Sequence, residues 1–232
     1  DGFSPGGQAF NQNSRAENWN WINTLQYNAT LEGKHNLSIA LSSDAQKQRT
    51  ESWGALKQGQ IDPFFHQFQG TFNINNASGS GISQLSYLAY IAMASYNYDN
   101  RYFLSANFRR DGNSGLARDN QWGNFGGASF GWTVSEEAFF KGSSLADKMS
   151  SLRFKASWGR VGNGNVGAYN EYSTYGSGIY GAAPIWAFNS SGNKNLKWET
   201  SQQTNIGVDF GFLRDRITVE ANWYKKNIDN MI

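Results

Sequence analysis

The sequence predicts an all-β fold: an antiparallel transmembrane β-barrel segment of about eight strands. Three observations predict it. Apolar and polar residues alternate with a period of two along eight stretches of the chain. Aromatic residues are abundant (16%) while charged residues are scarce (16%, against about 25% in soluble domains). The connections between these stretches alternate between short and long, as in outer-membrane barrels.

Composition excludes several other classes. The longest nearly uninterrupted apolar run, Tyr87–Ala94, is far shorter than the roughly 20 residues of a membrane-spanning helix. With no cysteine and only two histidines, we expect neither a disulfide framework nor a metal or other cofactor. A net charge of +2 does not favour nucleic acid as a partner. The mean hydropathy of -0.61 is compatible with a barrel, because only every second strand residue is apolar.

The eight strands follow from the alternation. The first runs from Asn18 to Leu31, with Trp19, Trp21 and Leu25 on its apolar face, and a turn at 32–34 leads into the second at 37–42. The other six show the same pattern, with Ser, Asn, Gln, Thr and charged residues on the second face. They are predicted at 83–98, 102–110, 122–134, 151–161, 204–210 and 217–223.

The predicted connections differ in length at the two ends of the strands. The short ones are 32–36, 99–101 and 213–216, joined by 135–150, where Ser135 can begin one or two helical turns. The long ones are 42–82, 111–121 and 162–197, and the stretch 1–17 is loop-like. This asymmetry and the low charge favour a membrane barrel over a soluble sandwich, which also alternates. Aromatic residues near strand ends fit interfacial girdles: Trp19, Tyr98, Tyr102, Trp198, Trp223 and Tyr224.

The two chain ends carry few signals. Residues 1–7 lack a basic start followed by an apolar core, so we expect no signal peptide in this chain. We therefore expect either a mature, processed protein or an internal piece of a longer one.

Three stretches carry a family resemblance. They are 96–114 (YNYDNRYFLSANFRRDGNS), 122–140 (with WGNF and GWTVSEEAFF) and 195–210 (NLKWETSQQTNIGVDF). Together they resemble the SusC-like (RagA-like) TonB-dependent transporters of Bacteroidetes outer membranes. One departure is minor: Asn193-Lys194-Asn195 stands where the family typically has Asn-Pro-Asn. Residues 1–80 fit the strand pattern but contain no specific motif.

The resemblance implies a barrel of roughly 22 strands around a plug. Residues 1–232 would be part of that barrel domain, with the plug domain, a signal peptide and the C-terminal strands outside this chain. It also implies a location in the Gram-negative outer membrane and a non-enzymatic function. The protein would import glycans or peptides with a SusD-like surface lipoprotein, powered through TonB. The alternatives are a self-contained eight-stranded barrel with a structural, adhesive or porin role, and a soluble β-sandwich that binds glycans.

Candidate site residues fall into two groups. Exposed aromatic residues in long loops can stack on sugars, hold peptide side chains or contact the lipoprotein lid. These candidates are Tyr175, Tyr180, Trp186, Phe64 and His66. Charged residues on the polar strand faces are expected to face the lumen and the plug, because charge is costly on the lipid side. They are Arg109, Arg153 and Asp209.

Three other motifs are assigned structural roles. Glu136 and Glu137 are expected to be charges at a helix start. The stretch 111–115 is interpreted as a turn, since it lacks the final carboxylate of a calcium loop. The glycine-rich stretch 162–167 has no helix after it, so it is expected to be a flexible surface loop, and no phosphate site is expected there.

Overall fold

The computed structural model describes residues 7–62, 64, 67–181 and 183–231, with the backbone alone described at 78–80 and 179. It contains ten strands: β1 Gln8–Leu31, β2 His35–Gln60, β3 Phe72–Tyr98, β4 Tyr102–Asn113, β5 Trp122–Thr133, β6 Met149–Asn163, β7 Thr174–Tyr180, β8 Ala183–Ser190, β9 Glu199–Phe212 and β10 Ile217–Asp229. The helical elements are short: α1 Ala138–Lys141 and 3-10 turns at Arg118–Asn120 and Val134–Glu136. None of the helices described is long and apolar enough to span a membrane.

Eight of the strands form one sheet in the order β1-β2-β3-β4-β5-β6-β9-β10, and β7 and β8 pair as a separate hairpin. Pairing is antiparallel at every ladder from β3 to β10. The eight-stranded antiparallel sheet confirms the predicted fold class. The chain divides into two compact units, Asp1–Asn20 with Gln46–Ser86, and Trp21–Ala45 with Tyr87–Ile232. We call the second the wall unit.

The predicted loop at 42–82 and the loop-like start at 1–17 are wrong. β2 continues to Gln60, β3 begins at Phe72 and β1 begins at Gln8. These extensions contain runs that are polar on both faces, such as 11–15 and 46–51. Backbone ladders do not require apolar side chains, so the alternation could not reveal them. β3 has 27 residues, more than twice the 9–11 or so that cross a bilayer.

The short turns of the wall unit lie where they were predicted. Positive φ angles occur at Glu32 in the first, at Asp99 and Asn100 in the second, and at Leu213–Asp215 in the third. The Asp215 carboxylate accepts hydrogen bonds from Ser150 (2.7 Å) and Ser151 (3.0 Å), which joins the third turn to the start of β6. These turns and the segment 134–148 define the short-turn end of the wall unit; the connections 114–121 and 164–198 define its long-loop end.

Side-chain exposure in β6 is the reverse of that in a soluble protein. The apolar residues Phe154, Ala156 and Trp158 are exposed, whereas Arg153 and Lys155 on the opposite face are half-buried. The register carries this apolar face across the sheet, where Leu104 and Ile206 are 50% and 52% exposed. Soluble sandwiches bury the apolar face of their sheets. The wall unit therefore leaves the apolar face of its sheet uncovered.

Candidate functional site

The second face of the wall unit is polar, and its side chains form hydrogen bonds between strands. A row of small polar side chains crosses four adjacent strands in register: Ser105, Ser129, Ser157 and Asn205. The Ser105 and Ser129 hydroxyls are 2.7 Å apart, and Asn205 donates a 3.2 Å hydrogen bond to Ser157. Short side chains leave space above this face, which is what a barrel lumen requires.

Aromatic residues mark both limits of the apolar face. At the short-turn end Tyr98, Tyr102 and Trp132 lie at or next to strand ends, with neighbouring ring centroids 6.3 Å apart, and Phe154 continues this contact further along β6 at 6.2 Å. At the other end Trp122 stacks on Tyr90 at 6.4 Å. Trp122 and Trp132 are ten residues apart on β5, roughly 34 Å along the strand. At a tilt of about 40° this becomes roughly 26 Å, close to the apolar band of an outer-membrane barrel.

Three residues expected in these girdles lie elsewhere. Trp198 packs edge-on against Phe125 at 5.2 Å and is half-buried, because it belongs to a loop that folds onto the sheet. Trp223 is in the middle of β10, paired with Ile206, and Tyr224 follows it on the opposite face. Adjacent strand residues point to opposite faces, so Trp223 and Tyr224 cannot both contact one girdle.

The three motif stretches meet at the long-loop end in what we call the loop-end cluster: Asn113, Leu116, Phe125, Gly164 and Trp198. Asn113 Nδ2 donates a 2.6 Å hydrogen bond to the Gly164 carbonyl, and its Oδ1 accepts one from the Gly115 amide (2.8 Å). Trp198 Nε1 donates to the Gln121 carbonyl at 3.1 Å. Leu116 is fully buried. The cluster therefore joins the connections 114–121 and 164–198 at this end of the sheet.

The cluster corrects the prediction of a flexible loop at 162–167. Gly164 and Val166 are buried, and a Cβ on Gly164 would lie 2.7 Å from the Trp198 ring. Glycine is needed there for close packing. The turn predicted at 111–115 is only partly correct: 111–113 belong to β4, and the chain turns at 114–115, where Asn113 accepts a hydrogen bond from the Gly115 amide. No group of three metal-ligating side chains occurs in the described part of the chain.

A second cluster, the rim cluster, lies at the short-turn end and contains Asp99, Arg101, Tyr102, Trp132 and Glu137. The Glu137 carboxylate accepts hydrogen bonds from the Tyr102 hydroxyl (2.6 Å), Trp132 Nε1 (3.1 Å) and Arg101 (3.3 Å). Arg101 also pairs with Asp99 at 2.5 Å. The hydrogen bonds from Tyr102 and Trp132 to the charged form lower the pKa of Glu137.

Glu137 stands at a helix start as expected, since it is the N-cap residue of α1, but its carboxylate has other partners. Its side chain makes no capping hydrogen bond to α1 and instead connects two strands and a turn. Glu136 is exposed and pairs with Lys141 at 2.6 Å. Sequence alone could not separate the two carboxylates, since the partners of Glu137 come from β4 and β5.

The predicted aromatic loop contains the hairpin β7–β8, which sequence reasoning missed. Tyr175 pairs with Phe188 in register, with ring centroids 5.8 Å apart, and Trp186 pairs with Ser177 on the same face. Tyr180 lies on the other face. Tyr180 and Trp186 are 80% and 81% exposed. The structure thus brings Tyr175 and Trp186 together with Phe188, which the alternation Trp186-Ala187-Phe188 could have revealed.

Of the other two loop candidates, Phe64 belongs to the first unit. Phe64 is 88% exposed, and its amide donates a 3.0 Å hydrogen bond to the Asp62 carboxylate. His66 lies outside the described residues.

The charged candidates occupy the polar face. Arg109 Nε pairs with Asp111 at 2.6 Å. Arg153 lies over the Phe103 ring at 4.7 Å, and its register partner on β9 is Asp209. Lys155, not predicted, pairs with Asp209 (2.7 Å) and Glu220 (2.6 Å). Its position beside Arg153 on the polar face of β6 was the available signal.

An exposed apolar face limited by aromatic bands, a polar second face and short turns opposite long loops define the wall of an outer-membrane β-barrel. A family model, TonB dependent receptor-like, beta-barrel, matches residues 1–232. The chain belongs to this family and is located in the outer membrane. Its family membership excludes the soluble β-sandwich alternative.

Relatives and solved structures agree with this assignment. The chain is 35% identical to the TonB-dependent receptor SusC of Bacteroides thetaiotaomicron over 157 residues, 62% of this chain and 15% of SusC. It is 28% identical to the TonB-dependent receptor P39 of Formosa agariphila over 220 residues, 90% of this chain and 20% of P39. The RagAB peptide importer in its closed-closed state superposes on 97% of the chain with a TM-score of 0.80 and 20% identity. The chain spans 25% of that solved chain.

Proposed function

We propose that this chain is the wall segment of a larger, roughly 22-stranded outer-membrane importer of glycans or peptides, which works with a SusD-like surface lipoprotein and is powered through TonB. The observation that carries the proposal is the exposed apolar face of β4–β9 in a chain of the TonB-dependent receptor family. The strand order also supports a larger barrel, because β1 and β10 stand at its two ends. The plug would come from parts of the protein outside this chain.

The apolar face contacts lipid and the polar face lines the lumen in this proposal. Arg109, Arg153 and Asp209 then face the plug. Arg153 is the best-defined of these plug contacts, because its guanidinium is held 4.7 Å over the Phe103 ring on the polar face.

The long-loop end faces the cell exterior, where substrate and lipoprotein arrive. The β7–β8 hairpin presents Tyr175, Trp186 and Phe188 on one face, and such rings stack on sugars or hold apolar peptide side chains. The chain supplies no covalent chemistry in this proposal. Glu137 already accepts from three donors and Glu136 pairs with Lys141, so these adjacent carboxylates do not form an acid–base pair.

Uptake by cells that produce the full-length protein tests the proposal. Oligosaccharide or peptide uptake should stop when a protonophore abolishes the proton-motive force, and surface binding should persist. Uptake that continues down its gradient without energy would identify a porin and contradict the proposal.

A further inference from the structure

Three cations lie on the apolar face of the wall unit, near its long-loop end: Arg110 on β4, Arg160 on β6 and Lys225 on β10. Each lies on the same strand face as the apolar residues between it and the short-turn end, such as Phe108 on β4 and Trp158 on β6. All three are exposed. We call them the basic row.

The basic row runs parallel to the turns. Arg110 and Lys225 each lie eight residues beyond the first residue of their strand, Tyr102 and Ile217. Arg160 pairs with Gly126, two residues along β5 from Asn124, the partner of Arg110. The row therefore shifts by one residue along the strand for each strand it crosses. With a rise of about 3.4 Å per residue and a strand spacing of about 4.8 Å, it is inclined by roughly 35° to the perpendicular of the strands. Barrel strands tilt by about that angle, so the three cations share one height in the membrane.

None of the ion pairs seen among the described residues involves a member of the basic row. By contrast, Arg109, which neighbours Arg110 on the opposite face of β4, pairs with Asp111. Arg110 instead lies 5.1 Å over the Trp122 ring, which fixes its guanidinium beside an aromatic band. Asp229 is the acid on the same face of β10, but it is four residues beyond Lys225, roughly 14 Å along the strand.

Unpaired cations on a lipid-facing surface need anions at the level of the headgroups, because charge is costly deeper in the bilayer. Consecutive members of the basic row are two strands and two residues apart, roughly 12 Å between Cα atoms. Guanidinium and ammonium groups at this spacing suit phosphate groups of adjacent headgroups.

We propose that Arg110, Arg160 and Lys225 bind the phosphate groups of an anionic glycolipid of the outer leaflet. The outer leaflet is chosen because the row lies at the long-loop end, which in the proposed function faces the exterior. Only this choice of leaflet rests on the proposed function. The proposal itself concerns lipid binding, which is measured without any transport assay.

The test is native mass spectrometry of the full-length protein in detergent, titrated with diphosphorylated lipid A, with dephosphorylated lipid A and with phosphatidylglycerol. The sequence offers matched variants, because Arg109 and Arg110, and Lys225 and Lys226, are neighbours on opposite faces. R110Q/K225Q should weaken binding of diphosphorylated lipid A about 25-fold, at about fivefold per cation. R109Q/K226Q should leave it unchanged.

A salt titration of the unmodified protein gives a second measurement that needs no variant. Affinity for diphosphorylated lipid A should fall between low and high ionic strength, and affinity for the dephosphorylated lipid should not. Equal losses in both double variants, or equal affinity for lipid A with and without phosphates, would overturn the proposal. Tighter binding of phosphatidylglycerol than of diphosphorylated lipid A would overturn the choice of a glycolipid.

Discussion

The Tyr102 hydroxyl donates a 2.6 Å hydrogen bond to the carboxylate of Glu137, 35 residues away in sequence. Tyr102 is the first residue of β4, and Glu137 lies between the end of β5 and helix α1. This hydrogen bond, with those from Trp132 and Arg101, ties one short turn to the next.

Replacing Glu137 with Gln should lower the temperature at which the full-length barrel unfolds, because an amide is a weaker acceptor than a carboxylate for three donors. The matched control is Glu136→Gln, which removes only an exposed ion pair with Lys141. Heat-modifiable migration in gels measures the transition. Equal shifts in the two variants would contradict the rim cluster's role.

The rim cluster also predicts a pH dependence. The pKa of Glu137 is lowered from its ordinary value of 4.5, so its contribution to stability is complete above that value. It is lost as the pH falls through the lower pKa of the folded state. The difference in unfolding temperature between the unmodified protein and E137Q should therefore shrink between pH 5 and acidic pH. A difference that does not change with pH would contradict this.

The loop-end cluster predicts a contrast between two glycines. Gly164→Ala should destabilise the barrel by about 1–3 kcal/mol, because the new methyl group would collide with Trp198. Gly176→Ala in β7 meets open space and should change stability little. Chemical denaturation of the folded barrel in detergent measures both, and a harmless Gly164→Ala would contradict the packing described.

The aromatic hairpin predicts a loss of binding without a loss of folding. Y175A/W186A in the full-length protein should weaken substrate capture or lipoprotein docking, because both rings lie on one face beside Phe188. Tyr180→Ala, which removes an equally exposed ring from the other face, should have a smaller effect. Surface binding and co-purification are the measurements. Failed barrel assembly in Y175A/W186A would show that the rings are structural.

Strands with one apolar face were predictable from sequence. β4 and β5 were predicted at 102–110 and 122–134 and are observed at Tyr102–Asn113 and Trp122–Thr133. Lipid requires an apolar residue at every second position there, so the pattern is strong. Where both faces are polar, as at 46–51, no such requirement exists, and the strand could not be recognised.

The clusters at the two ends were less accessible to sequence reasoning. The loop-end cluster contains residues of the family motifs, but their partners are distant in sequence. Asn113 binds Gly164, 51 residues away, and Trp198 binds Gln121, 77 residues away. Period and spacing describe neighbours along one strand. They contain no information on which loops fold together.

The central claim is that the apolar face of this wall contacts lipid and the polar face does not. The chain contains no cysteine, so single cysteines at 205–210 in a cysteine-free full-length protein can carry a bimane label. In vesicles of lipid brominated in the acyl chains, labels at Ile206, Val208 and Phe210 should be quenched, and labels at Asn205 and Asp209 should not. Uniform quenching along β9, or quenching at Asn205 and Asp209 alone, would contradict the account.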